Sequence, residues 1–324
     1  MPVMDGLAAL GEIMRWQPTP VIMLSSVTSQ GAAATLKAFD LGAFDAIAKP
    51  DSRLDNASCR FVPDLIERIK AAAVGNLSRL TQKGHSGEGH SGSRTFADQV
   101  EAQPEPFTLL DVHTDSDAAL PGKTPLLTLP KEPVEIVAIG ISTGGPGALQ
   151  SFLPELPAEF PVPVIVVQHM PAGFTRMLAQ RLDNLCKLTV CEAKDGDVLS
   201  AGTVYIAPAA VQTQVERSLN KLILRVGGES PIPTLYHPSV DVMLLSLVKQ
   251  GVKGTLGVIM TGMGSDGVRG VREVRSIGGF TIAESEESCV VYGMPRAVVE
   301  AGLADRIVPL GKIAATLVEC VQRR

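Results

Sequence analysis

One short stretch near the middle of the chain places the strongest constraint on its fold. Residues 135–139 form an apolar run that is typical of a buried parallel strand. Glycines recur between Gly140 and Gly147, and residues 148–153 then follow a helical pattern. Ser142 is therefore predicted to lie in a tight strand-to-helix turn, for which the glycines supply backbone freedom.

Three interpretations of this turn are open. The pattern Gly140-x-Ser142-x-Gly144 has the spacing of a nucleophile elbow, which exposes a serine hydroxyl and aims backbone N–H groups at an incoming oxygen. Glycine-rich strand-to-helix turns also bind phosphate groups, and others only close tightly. The turn by itself does not decide between a catalytic serine, a phosphate site and a structural turn.

The composition argues against several classes of protein. The 324 residues suffice for about two domains, and the net charge of −5 argues against bulk binding of nucleic acid or anionic membrane. The five cysteines include no C-x-x-C pair, which favours reduced thiols over a disulfide framework or a zinc site. No uncharged apolar run reaches membrane-spanning length. We therefore expect a cytoplasmic protein without membrane insertion.

The first part of the chain alternates helices and strands, which predicts a parallel sheet with helices outside it. It contains Met1-Pro-Val-Met-Asp-Gly6, Val21-Ile-Met-Leu-Ser-Ser26 and Gly42-Ala-Phe-Asp-Ala-Ile-Ala-Lys-Pro50. Together these motifs resemble the second half of a response-regulator receiver domain, which has a flavodoxin-like fold. The resemblance assigns contacts with a phosphorylated aspartate to Ser25 and Lys49.

We expect residues 1–74 to be a receiver fragment that is truncated at its N-terminus. In that family the phosphoacceptor aspartate and an acidic metal-binding pair precede the Met-Pro-x-Met-Asp-Gly motif, so no phosphoacceptor is expected in this chain. Two strands and three helices are too few to bury a core of their own. The fragment is therefore predicted to be poorly ordered or marginally docked.

Residues 75–131 are predicted to be a flexible linker, because small polar residues dominate and apolar periodicity is absent. His85 and His90 lie in this linker. Without cysteines or clustered carboxylates beside them, they favour incidental histidines over a metal site.

Strands and helices alternate again in residues 132–324, which predicts an α/β domain with a doubly wound, mostly parallel sheet. Polar residues alternate with apolar ones in residues 211–216 and 222–226, which are predicted to form a small antiparallel pair.

Three polar side chains that could form a hydrolytic triad follow predicted strands. Ligands collect at the carboxyl ends of strands in open parallel sheets, and Ser142, His169 and Asp266 lie at or just beyond such ends. A serine nucleophile needs a base, usually a histidine that a carboxylate orients. Of the five histidines, His169 and His237 lie outside the linker, and His169 alone ends a predicted strand. Asp266 could instead be a helix N-cap, and His169 a buried histidine bonded to a carbonyl.

Five motifs follow one another in this second part of the chain. They are Ala138-Ile-Gly-Ile-Ser-Thr-Gly-Gly145, Gln168-His-Met-Pro-Ala-Gly-Phe-Thr-Arg176, His237-Pro-Ser-Val-Asp241, Met260-Thr-Gly-Met-Gly-Ser-Asp-Gly267 and Ser288-Cys-Val-Val-Tyr-Gly-Met-Pro-Arg296. In this order they resemble the chemotaxis protein-glutamate methylesterases (the CheB family), and the receiver fragment and the linker also fit that family's architecture.

The resemblance implies a serine hydrolase with a Rossmann-like methylesterase domain in residues 132–324. Its catalytic triad would fall on Ser142, His169 and Asp266. Its oxyanion contact would be the backbone N–H of Met263, and its assisting threonine would be Thr143. The same edge would also carry, by resemblance, Gln168, Arg176 and Met294.

The implied reaction is hydrolysis of glutamate methyl esters on the cytoplasmic helices of methyl-accepting chemotaxis receptors, with release of methanol. Particular receptor glutamines would be deamidated at the same site. The resemblance implies no metal and no organic cofactor. The implied partners are the receptors and a chemotaxis histidine kinase, and nucleic acid is not among them.

The unphosphorylated receiver covers the active site in this family. Because half of that cover is absent here, we expect ungated activity. Two other functions stay open, namely a nucleotide site at the glycine loops of Gly140 and Gly262, and a catalytically silent signalling module. Against the first, a dinucleotide fingerprint needs a glycine where Ser142 stands.

Overall fold

The computed structural model describes residues 4–26, 28–50, 55–75 and 129–322. All of them belong to one compact unit, which comprises Met1–Lys83 and Thr128–Arg324. Most of the predicted linker, including His85 and His90, lies outside the described residues.

The N-terminal elements are three helices and a two-stranded parallel sheet. They are α1 (Gly6–Trp16), β1 (Ile22–Ser25), α2 (Ser29–Asp40), β2 (Asp45–Ala48) and α3 (Asp55–Val74). The side chain of Asp5 caps α1 by accepting the N–H of Ala8, and Thr28 caps α2 in the same way through Gly31. Capped helices and paired strands therefore form in this fragment, where poor order was expected.

Residues from the second part of the chain extend the small core that the fragment forms around Leu10, Ala38 and Ala43. Phe44 is fully buried and Ala71 nearly so, in a cluster with Val290 and Val291. Leu36 of α2 joins the larger core beneath the main sheet. The expectation of marginal docking is therefore not met, because apolar surface outside the fragment completes its packing.

The second part contains the main parallel sheet and a small antiparallel pair. The strands of the main sheet are β3 (Ile136–Ile141), β4 (Val164–Gln168), β5 (Thr189–Glu192), β6 (Thr203–Ile206), β9 (Thr255–Ile259), β10 (Phe280–Glu284) and β11 (Arg306–Val308). The antiparallel pair consists of β7 (Thr213–Ser218) and β8 (Lys221–Val226). The main sheet has the order β11-β10-β9-β3-β4-β6-β5, which confirms the predicted α/β class.

Helices cover both faces of the main sheet. They are α4 (Gly145–Phe152), α5 (Phe174–Asp183), α6 (Val240–Lys249), α7 (Val268–Ser276), α8 (Met294–Glu300) and α9 (Leu310–Val321). Along β3, Val137 and Ile139 enter one core, whereas Ile136 and Ala138 enter the other. Alternate residues of a strand face opposite sides, so a strand that is covered on both faces is apolar throughout.

Strand order reverses beside β3, which fixes where a ligand would bind. From β3 the chain passes to β4 and towards one edge of the sheet, and it later returns through β9 to the other edge. In doubly wound sheets the binding crevice lies at the carboxyl ends of the strands on either side of this reversal. Ser142 follows β3 and Thr261 follows β9, so the crevice lies between the loops that they begin.

Helix α7 was not predicted from the sequence. Val271 and Val274 are buried on its inner face, while arginines occupy the positions between. The carboxylate Oδ1 of Asp241 accepts the N–H groups of Gly267 and Gly270 at 3.0 and 2.7 Å. This long-range cap satisfies the start of a short helix whose own sequence has no polar capping side chain.

Candidate active site

Ser142 is the first residue beyond β3, as predicted. Its N–H donates to the carbonyl of Thr261 at 2.9 Å, and its carbonyl accepts the N–H of Gly145 at 2.8 Å and Nε2 of Gln168 at 2.9 Å. Gly144 has φ of +81°, and a Cβ there would lie 2.7 Å from a valine side chain. The turn fixes the Ser142 backbone, while its hydroxyl makes no hydrogen bond with the residues that the structure describes.

Thr261 joins the two loops of the crevice. Its hydroxyl donates to the Thr143 carbonyl at 2.9 Å and accepts the N–H groups of Val290 and Val291 at 3.1 and 3.0 Å. Its own N–H donates to the buried carboxylate of Glu284 at 2.9 Å. Thr261 and Glu284 were not predicted as site residues. The signal for Glu284 was an acidic residue directly after an apolar strand run.

His169 and Asp266 meet at the carboxyl edge of the sheet. His169 Nε2 lies 2.9 Å from Asp266 Oδ2, and the two side chains are 10% and 2% exposed. Nδ1 of His169 is buried without a partner among the described residues. Because Nε2 faces the carboxylate, Nδ1 is the ring nitrogen that can accept a proton from another group. Ser142 lines the same cleft, although no hydrogen bond joins its hydroxyl to His169 in this part of the structure.

Asp266 also binds the first turn of α6, and it is not the N-cap of its own helix. Oδ1 accepts the hydroxyl of Ser239 at 2.8 Å and the N–H of Asp241 at 3.0 Å, and Oδ2 accepts the N–H of Val240 at 2.7 Å. The N-terminus of a helix favours a negative charge. Burial raises the pKa of Asp266, but the hydrogen bond and charge of His169 oppose it, and the net pKa is lowered. Asp266 is therefore ionised at neutral pH.

Replacing Asp266 by asparagine is expected to lower both stability and activity. Each carboxylate oxygen accepts a backbone N–H, so an amide NH2 at either position would face a donor. We expect a loss of about 1–3 kcal/mol in the free energy of unfolding and a fall in kcat of about 10⁴-fold. Thermal unfolding and ester hydrolysis measure the two effects.

Asp183→Asn is the matched control, because its carboxylate accepts one backbone N–H, from Val190, and an amide oxygen can still do so. This variant should retain stability and activity. Wild-type kcat in Asp266→Asn would contradict the assigned role of Asp266.

The loop after β9 lies directly against Ser142. A Cβ on Gly262 would lie 2.7 Å from Ser142 Cβ and 2.6 Å from Met294 Sδ, so the close approach requires glycine. The next residue, Met263, has a backbone N–H that donates to no residue the structure describes. This N–H has no acceptor there, and its role as an oxyanion contact stays a prediction.

The other residues predicted for this edge differ in position. Gln168 is buried in the site, where its Nε2 donates to the carbonyls of Ser142 and His169. Met294 is fully buried against Gly262. Arg176 is exposed on the first turn of α5 and does not line the cleft.

Elements from the N-terminal fragment close the cleft. Thr35 and Phe39 of α2 and Asp45 and Ala46 of β2 line it together with Ser142. The enclosed cavity measures about 10 Å³, which is room for about one water molecule. The expectation of ungated activity rested on the absence of half of the cover. Elements of the half that is present line the cleft, and ungated activity stays a prediction.

Polar contacts hold this cover in place. The hydroxyl of Thr143, the predicted assisting threonine, donates to Asp45 Oδ2 at 2.7 Å, and Arg68 Nε lies 3.3 Å from the same oxygen. On the other side of the cleft, Arg181 forms an ion pair with Asp40 at 2.6 Å. The cover therefore occupies the Thr143 hydroxyl, whose assisting role stays a prediction.

Ser25 and Lys49 lie side by side at the ends of β1 and β2. The Lys49 N–H donates to the Ser25 carbonyl at 2.7 Å, and the Ser25 hydroxyl donates to the Gly31 carbonyl at 3.0 Å. Their contact with a phosphorylated aspartate stays a prediction.

The described ranges contain neither a candidate membrane span nor a candidate metal cluster. None of the helices there has the length and hydropathy that a membrane crossing requires. No group of three or more histidine, cysteine, aspartate or glutamate side chains there is arranged to hold a metal ion. The four cysteines described are free thiols.

Comparison with known proteins identifies the family of this chain. The CheB methylesterase family profile matches residues 137–317, which include the turn at Ser142 and the loop that begins at Thr261. The chain is 55% identical over 330 residues to the protein-glutamate methylesterase/protein-glutamine glutaminase of Desulfitobacterium hafniense, covering 100% of this chain and 84% of that protein. It is 41% identical over 326 residues to protein-glutamate methylesterase/protein-glutamine glutaminase 1 of Oleidesulfovibrio alaskensis, covering 100% of this chain and 85% of that protein.

One solved structure resembles the second part of the chain. It is the crystal structure of the Thermotoga maritima CheB methylesterase catalytic domain, with a TM-score of 0.56 and 44% sequence identity. The match covers 57% of this chain and 98% of that domain. Sequence, fold and the order of the motifs agree, and the chain belongs to the CheB methylesterase family.

Proposed function

We propose that this chain is a serine hydrolase that demethylates glutamate methyl esters on methyl-accepting chemotaxis receptors in the cytoplasm. The same site would deamidate particular receptor glutamines. The observation that carries the proposal is the 2.9 Å contact of His169 Nε2 with Asp266 Oδ2 at the edge where Ser142 follows β3. The names of the relatives supply the substrate class.

The proposed reaction runs through an acyl-enzyme. His169 Nδ1 takes the hydroxyl proton of Ser142 as Oγ attacks the side-chain carbonyl of the substrate. The Met263 N–H stabilises the oxyanion, and a donor of this kind contributes about 10²–10³ in rate. The imidazolium returns the proton to the leaving methoxide, and methanol departs. Water, deprotonated by His169, then attacks the acyl group. The imidazolium returns this proton to Ser142 Oγ as the C–O bond breaks, which releases glutamate and restores Ser142 and neutral His169.

The unbonded Ser142 hydroxyl is compatible with this sequence of steps. No hydrogen bond to a described residue holds its side chain in another direction, so it can rotate towards His169 when substrate binds. Hydrogen bonds between nucleophile and base are often long in an empty site and shorten in the substrate complex. For a glutamine substrate, the same steps release ammonia in place of methanol.

A serine-directed fluorophosphonate and a methylated receptor fragment together test this proposal. We expect the probe to label Ser142, as located by mass spectrometry, and the receptor fragment to release methanol. Labelling without methanol release would indicate a serine hydrolase with another substrate. Absence of labelling would favour the nucleotide-binding module or the catalytically silent one.

The N-terminal fragment supports a further partner of the same pathway. Its resemblance to a receiver leads us to propose that a chemotaxis histidine kinase binds it, with Ser25 and Lys49 at the phosphoryl-contacting positions. Pull-down of the kinase by the full chain, but not by residues 129–324, is the expected result.

A further inference from the structure

Tyr236 lies flat against the proposed catalytic histidine. The centroids of the Tyr236 and His169 rings are 4.4 Å apart, and the ring planes are inclined by 8°. Tyr236 belongs to the loop before α6, and neither the predicted motifs nor the reaction steps above use it. Its position on the face of the imidazole raises the question of what it contributes.

Buried hydrogen bonds anchor the backbone around Tyr236. Nε2 of Gln212 donates to the Tyr236 carbonyl at 2.8 Å, and Oε1 of Gln212 accepts the Ser239 N–H at 3.0 Å. The Ala210 N–H donates to the carbonyl of His237 at 2.9 Å. Gln212 is 1% exposed. The loop is thereby tied to the segment before β7 and to the start of α6. These bonds fix the backbone from which the Tyr236 side chain extends.

The far end of the ring reaches the oxyanion loop. A Cβ on Gly264 would lie 2.8 Å from Tyr236 Oη, so the hydroxyl approaches the residue after Met263 as closely as glycine permits. Burial raises the pKa of Tyr236, and the charge of Asp266 raises it further. The phenol is therefore neutral at physiological pH, and it places no second negative charge beside His169.

We propose that Tyr236 is a positioning residue for His169, an inference that rests on the proposed function. Asp266 fixes one ring nitrogen, but a single hydrogen bond leaves the imidazole free to tilt about that contact. A stacked ring removes this freedom and keeps Nδ1 available to Ser142. It also interacts most strongly when His169 is an imidazolium, because the ring face attracts a cation.

The stacking geometry distinguishes this role from simple shielding. Any apolar side chain of similar size would exclude water from His169. An aromatic pair and a cation over a ring face each stabilise the contact beyond what burial alone contributes. Tyr236→Phe keeps both contributions, whereas Tyr236→Leu keeps only the shielding.

The test compares Tyr236→Leu and Tyr236→Phe in the full chain. The readouts are the second-order rate constant for fluorophosphonate labelling of Ser142, and kcat and KM for methanol release. We expect Tyr236→Leu to lower the labelling rate and kcat about tenfold with little change in KM. We expect Tyr236→Phe to stay within about threefold of the wild type, since the same stacking contributions persist. Leu235→Ala is the neighbouring control, because Leu235 is 81% exposed.

A second chain, residues 129–324, separates this effect from the cover. Charges of Asp64 and Glu67 on α3 reach Tyr236, so the full chain alone does not separate an effect on His169 from an effect on the cover. The shorter chain lacks α3, and it matches the extent of a catalytic domain that has been crystallised by itself. In residues 129–324, we expect Tyr236→Leu to slow labelling, relative to the unsubstituted short chain, by at least the factor seen in the full chain.

Each outcome is decisive. Wild-type labelling rates for Tyr236→Leu in both chains would overturn the inference, as would equal losses in the leucine and phenylalanine variants. No labelling of the wild type would instead overturn the proposed function. Should Tyr236→Leu fail to fold, as judged by thermal unfolding, Tyr236→Met replaces it in the same comparison.

Discussion

Ser142→Ala should lower kcat for methanol release by about 10⁴-fold or more, because the nucleophile and the proton that His169 accepts are removed together. Labelling by the fluorophosphonate should disappear entirely. The fold should persist, since the Ser142 hydroxyl makes no hydrogen bond in the described structure and all its backbone bonds remain. We expect the free energy of unfolding to change by no more than about 0.5 kcal/mol.

Ser151→Ala is the matched control for this substitution. Ser151 lies on α4 close to the nucleophile turn, and its hydroxyl donates to the Gly147 carbonyl at 2.9 Å. This variant removes a serine hydroxyl from the adjoining helix and should leave kcat and labelling unchanged. Substantial esterase activity in Ser142→Ala would show that another group is the nucleophile.

The sequence was sufficient for the parts of the site that local patterns encode. A strand covered on both faces must be apolar throughout, so β3, β4 and β9 stand out as continuous runs. Their carboxyl ends must share one edge, so the sequence predicts that Ser142 and His169 lie close together. The structure confirms this fold, and it places His169 against Asp266 and Ser142 in the cleft that His169 also lines.

Contacts between distant segments have no comparable local pattern. Asp45 accepts a hydrogen bond from Thr143, which is 98 positions away in the chain. No sequence pattern near either residue predicts that contact. Tyr236 stacks on His169 because Gln212 anchors its loop. The sequence pattern predicts site residues directly after strands, and Tyr236 does not follow one. The packing of Phe44 against Val290 is of the same kind, and it explains why the fragment was wrongly expected to dock marginally.

Removing residues 1–131 is expected to raise kcat/KM for a methylated receptor fragment by tenfold or more. In the full chain a substrate must displace α2 and β2, whose residues leave a cavity of about 10 Å³ beside Ser142. The contacts that must break are the Thr143–Asp45 hydrogen bond, the Arg181–Asp40 ion pair and the burial of Phe44. A tenfold change corresponds to about 1.4 kcal/mol. The three contacts together therefore need to favour the covered state by only this free energy.

Phe44→Ala in the full chain tests the same cover without shortening the chain. Deleting a fully buried aromatic ring costs about 3–5 kcal/mol of packing, and the open state gains population because Phe44 packs against Val290 and Val291. Trp16→Ala is the control, since Trp16 is 75% exposed in the same fragment. If kcat/KM is equal in the full chain, the shortened chain and Phe44→Ala, then the cover leaves the site freely and ungated activity was the correct expectation. If the deletion of residues 1–131 and Phe44→Ala both raise kcat/KM, the cover is a barrier to substrate. The contacts of residues 35–45 then hold it over the site.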